Sequence, residues 1–90
     1  MNRALMNVAA WTLVFLDLTE EDQLDLDLAV EQMEQIAAML NELSAEERSL
    51  FTAHVEKLAQ QEKRKEVAES LRSIPEALGW VEPQDGEENE

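Results

Sequence analysis

Residues 27–59 read DLAVEQMEQIAAMLNELSAEERSLFTAHVEKLA, and the fold is decided here. The first half spaces Val30, Met33, Ile36, Ala37, Leu40 and Leu43 by threes and fours, which is one face of an α-helix. The second half repeats the pattern with Leu50, Phe51, His54, Val55, Leu58 and Ala59. Between them Ser44-Ala-Glu-Glu47 forms a capping box. The Ser44 hydroxyl accepts from the Glu47 backbone N–H, and the Glu47 side chain reaches back to the Ser44 N–H. The box ends a helix of about Asp27–Leu43 and starts the next with almost no loop. So short a connection predicts an antiparallel helix 2–helix 3 hairpin.

Working outward, helix 1 is expected over about Asn2–Leu16, followed by an acidic connection, Asp17–Asp27. Downstream, the polar Lys63-Arg-Lys65 marks a bend, and Val67, Ala68 and Leu71 face a fourth helix of about Lys65–Arg72. Pro75 disfavours helix at Ile74. A further short turn, Pro75–Leu78, is expected to end at Gly79. Trp80 and Val81 then offer an apolar clasp. Residues 82–90 hold no apolar side chain and read as a disordered acidic tail. The expected architecture is all-α: one small bundle of four to five helices over residues 1–81, built on the helix 2–helix 3 hairpin.

Composition agrees. The 90 residues contain 44% hydrophobic residues but only two Gly and two Pro, too few turns for a many-stranded fold. There is no cysteine, which excludes disulfides, thiolate metal sites and a cysteine nucleophile. The apolar run Ala4–Leu16 is too short for a membrane span. It lacks a small-residue cleavage site and runs straight into Asp17, so it reads as a buried helix and not as a signal peptide.

Helix 1 is apolar nearly all round. Arg3, Asn7 and Asp17 share one narrow arc; Leu5, Ala9, Leu13 and Leu16 form one apolar face, and Val8, Trp11 and Phe15 a second. Either this is the central helix, or the Val8–Trp11–Phe15 face is a self-association surface that makes the protein a homodimer.

Charge is segregated. The net charge is −14, and residues 17–47 hold eleven acids and no base. Residues 48–75 are slightly basic, and residues 76–90 hold six acids and no base. Such a chain repels nucleic acid and anionic membranes, and any partner it binds through these acids is basic. A solvated face that only confers solubility is the alternative. The candidate contact residues are Glu20, Glu21, Asp22, Asp25, Asp27, Glu31 and Glu34.

Catalytic and metal chemistry find no motif. Asp22, Asp25 and Asp27 lack the glycine that a calcium loop of the EF-hand type needs, since no Gly precedes Gly79. His54 is the sole histidine and falls at the edge of an apolar face, as a packed histidine would. Ser44 and Ser73 read as helix caps. No phosphate-binding glycine loop occurs. The expectation is a non-enzyme with neither cofactor nor metal.

The segments Ala29–Leu40, Ser44–Arg48, Leu58-Ala59 and Ser73–Gly79 together resemble small acidic helical proteins of bacteria of the toxin-immunity type. The resemblance covers residues 27–80 and assigns no site residues. It implies a cytoplasmic inhibitor that binds a cognate toxin. The expected function is therefore an acidic, protein-binding inhibitor that docks on a basic partner by electrostatic steering. A nucleic-acid mimic that occupies a DNA-binding protein, and a structural helical oligomer or adaptor, are the alternatives.

Overall fold

A computed structural model of the chain describes residues 2–80. Val81 and the expected tail, residues 82–90, lie outside the described residues. Four helices follow one another, α1 (Arg3–Leu18), α2 (Leu26–Leu40), α3 (Ala45–Gln61) and α4 (Lys65–Ala77), and no strand occurs among the described residues. Among the described residues no helix is long and apolar enough to cross a membrane.

Each of the first three helix starts has a local cause. The Asn2 side chain accepts from the Ala4 and Leu5 N–H groups at 2.7 and 3.2 Å. Asp25, not Asp27, caps α2 by accepting from the Leu28 N–H at 3.2 Å. At α3 both arms of the expected capping box are formed, 3.1 Å from the Glu47 N–H to Ser44 Oγ and 3.0 Å from the Ser44 N–H to Glu47 Oε1.

Helix ends differ more from expectation. α2 stops at Leu40, and Asn41–Leu43 form a turn. Arg48 holds that turn, its guanidinium donating to the Asn41 and Leu43 carbonyls at 2.6 and 3.2 Å. These two carbonyls are satisfied by a side chain from the next helix, so they need no intrahelical partner. α4 runs through Ile74 and Pro75 as one helix, where a break and a separate turn were expected. A proline inside a helix costs about 3 kcal/mol. Leu71, Ile74 and Pro75 are all buried, and burying Leu and Ile side chains contributes roughly 1.5–3 kcal/mol each. Packing outweighs the local preference. Gly79, at φ 80°, then ends α4 as expected. The Trp80 N–H bonds the Pro75 carbonyl at 2.9 Å and the Gly79 N–H bonds the Glu76 carbonyl at 3.0 Å, a Schellman motif.

The α2–α3 hairpin expected from the short connection is not the pairing found. α3 packs on α4, α2 packs on α1, and α1 touches all three other helices. The turn that Arg48 holds sends α3 away from α2. One core joins the bundle: Met6, Ala10, Leu13 and Val14 of α1 meet Leu40, Phe51, Val55, Ala59, Leu71 and Ile74. Phe51 and Leu71 are fully enclosed at its centre. α1 is thus the central helix, yet it leaves Val8, Trp11 and Phe15 exposed, and Leu5, expected on the face of Leu13 and Leu16, is exposed with them.

Candidate binding groove and its acidic ridge

α2 and α4 both lean on α1 without closing on each other. The gap between them is a groove of about 190 Å³. Leu13 forms its floor. Val30, Met33 and Ala37 line the α2 side, and Ile74, Ala77 and Leu78 line the other. Its polar rim is Asp17, Glu34, Ser70 and Ser73.

The rim is fixed by two short hydrogen bonds. The buried Ser70 hydroxyl donates to Asp17 Oδ2 at 2.7 Å, and the Ser73 hydroxyl donates to the Ser70 carbonyl at 2.7 Å. Asp17 stands in the last turn of α1, where the helix dipole disfavours an anion. The Ser70 hydroxyl offsets that disadvantage.

The seven acids singled out from the sequence fall into two groups, all exposed. Glu20, Glu21 and Asp22 occupy the turn between α1 and α2, and Asp25 is engaged in the α2 cap. Asp27, Glu31 and Glu34 are four and three residues apart on α2, so they form one ridge along it. Val30, Met33 and Ala37 lie on the adjoining arc, which places the acidic ridge beside the apolar groove, with Glu34 on both. The ion pairs among the described residues are Arg64–Glu62 and Arg72–Glu56, and neither involves the seven.

A second cluster holds the open end of α2. The Trp80 indole N–H donates to Asn41 Oδ1 at 2.7 Å, and its ring meets Phe51 edge-on with centroids 6.0 Å apart. The Arg48 guanidinium lies 5.5 Å from the Trp80 ring centre. Asn41 Nδ2 donates in turn to the Ala37 carbonyl at 2.9 Å and, more weakly, to the Leu78 carbonyl at 3.5 Å. The apolar clasp expected of Trp80 is therefore also a polar one. His54 is half-buried, its Nε2 2.6 Å from Asn7 Oδ1 on α1.

Sequence reasoning missed the groove, and with it Asp17, Ser70 and Ser73. The one available signal was that Asp17 shares a helical arc with Asn7. A polar arc on a central helix requires partners on neighbouring helices, and His54 and Ser70 are those partners. Among the described residues no three His, Asp or Glu side chains gather as a metal site. No protein family, curated protein or solved structure matches the chain.

Proposed function

We propose that the protein is a non-catalytic binding module of the inhibitor type. The α2 ridge attracts a basic partner, and the groove beside it takes up an amphipathic segment of that partner. One observation carries this reading: an uncompensated row of carboxylates, Asp27, Glu31 and Glu34, runs along α2 beside an apolar groove that Glu34 also lines. That arrangement is complementary to a helix with apolar anchors and a Lys/Arg flank. Opposed charge governs encounter and orientation, and the apolar seat governs residence. In its finer form the reading is of an immunity-type protein acting in the cytoplasm, whose partner is a toxin blocked by occlusion without chemistry. The uncovered face of α1 favours a second reading, a structural helical oligomer.

The test is association kinetics with a partner captured on the immobilised protein. Replacing Asp27, Glu31 and Glu34 by Asn, Gln and Gln should slow association about tenfold and flatten its salt dependence. Val30→Glu, which puts a charge on the groove wall, should instead speed dissociation. If the triple variant associates at the wild-type rate with the wild-type salt slope, the ridge is only a solvated face.

A further inference from the structure

α1 is turned the wrong way round for the surface of a monomer. Its polar residues Asn7 and Asp17 point to α3 and α4 and are held by His54 and Ser70. Its solvent side carries Leu5, Val8, Trp11, Phe15 and Leu18, which are 63, 62, 36, 59 and 40% exposed. No charged residue lies on this stripe. It presents on the order of 500 Å² of apolar surface, near the upper end for the largest patch on a monomer. Two such faces supply on the order of 1,000 Å², close to what a specific interface needs before its rim is counted.

We infer that this stripe is the interface of a homodimer in which two α1 helices pack antiparallel across a two-fold axis at Trp11–Thr12. The spacing of the stripe is symmetric about that point. Leu5 falls opposite Leu18 of the second copy, Val8 opposite Phe15, and Trp11 beside its own equivalent. A shallow depression on this face is lined by Trp11, Phe15, Leu18 and Val67, with Thr19, Gln23 and Arg64 at its polar edge. In the inferred dimer it would receive Val8 and Leu5 of the second copy.

Charge favours a second copy as the occupant. With a net charge of −14, two copies repel wherever their acids face each other, and the stripe is free of charge. The antiparallel arrangement brings the first turn of α1, with Arg3, toward the acidic Glu20–Asp22 turn of the other copy. It also sets helix ends of opposite partial charge side by side. A two-fold interface of this kind closes on itself, so assembly stops at two.

The experiment is sedimentation equilibrium of the full chain across concentration and salt. The expected mass is twice the 10.3 kDa of one chain, with dimerisation strengthened by salt as self-repulsion is screened. Val8→Glu should give a monomer of unchanged helical circular dichroism. The chain has no cysteine, so register is read directly: oxidising a mixture of Val8→Cys and Phe15→Cys should form the mixed disulfide in preference to either symmetric one. A monomer at millimolar concentration, an open-ended assembly, or a preferred Val8→Cys homodisulfide overturns the inference. Should Val8→Glu fail to fold, the cysteine pairing still decides. A monomeric result leaves the reading of the α2 ridge and groove standing, because the groove takes from α1 only Leu13 and Asp17, which lie off the stripe.

Discussion

Replacing Trp80 by Ala should cost about 3 kcal/mol, because four contributions end at one side chain. The edge-on contact with Phe51 is worth about 1 kcal/mol beyond area. The Arg48 cation over the ring adds about 0.5–1 kcal/mol at a site open to water. The indole hydrogen bond to Asn41 adds about 0.5–1 kcal/mol, and the apolar area of a half-buried ring roughly another 1 kcal/mol. Trp80→Phe keeps the ring against Phe51 and loses the hydrogen bond, so it should cost only about 1 kcal/mol. The assay is a urea titration followed by circular dichroism, with the slope compared between variants so that midpoints convert to free energy. The Schellman bonds at Gly79 and Trp80 come from the backbone and survive both changes, so the difference between Ala and Phe isolates the side chain. A loss below about 0.5 kcal/mol for Trp80→Ala, less than the hydrogen bond alone, would show that the clasp adds nothing and that the α4 terminus docks by other means.

Ser44→Ala removes one arm of the capping box and should cost about 1 kcal/mol, a fall in Tm of about 4–8 °C in a reversible melt. Ser70→Ala leaves the Asp17 carboxylate without its donor and should cost about 1 kcal/mol, limited because Asp17 keeps water; a cost above about 3 kcal/mol would mean that the carboxylate is sealed from solvent. Neutralising Asp27, Glu31 and Glu34 together should leave Tm unchanged or raised, since self-repulsion is relieved; a clear fall would show that these acids hold the fold. The side-chain hydrogen bond from Arg64, with its charge, holds the Glu62 carboxyl below the usual carboxylate range. The pair's contribution is therefore present above the ordinary glutamate pKa and lost as pH falls through the lowered value. Arg64→Gln should move the Glu62 titration upward in a carboxyl NMR experiment, and an unmoved midpoint would refute the assignment.

Features written in a few neighbouring residues were legible from the amino-acid order alone. The Ser44–Glu47 box, the Gly79 terminus and most of the periodic faces of α2 and α3 need nothing from elsewhere in the chain, although Val30 and Leu50, expected on those faces, are exposed. Helix pairing was not legible in this way. The short Leu40–Ala45 connection favours a hairpin, but the direction of α3 depends on Arg48 reaching back to two carbonyls. The same holds at Pro75, where a local penalty was outweighed by burial of Leu71 and Ile74. The seven acids were legible as exposed charge, whereas the groove beside three of them depends on the angle between α2 and α4 over α1. The orientation of α1 was equally hidden, because an arc with Asn7 and Asp17 ordinarily faces water. Only the hydrogen bonds to His54 and Ser70 show that Asn7 and Asp17 lie toward α3 and α4, with Asp17 still open to water.

Because α2 leans on a single neighbouring helix, the arc it turns outward is thermodynamically uncoupled from the core around Phe51 and Leu71. Exposed substitutions away from caps and packing contacts usually change stability by no more than about 0.5 kcal/mol, and at separated sites such changes add. The sequence of the ridge is therefore free to drift while the scaffold is kept. A lineage carrying this fold can redraw the charge of the ridge through a handful of carboxylate changes, without passing through an unfolded intermediate sequence.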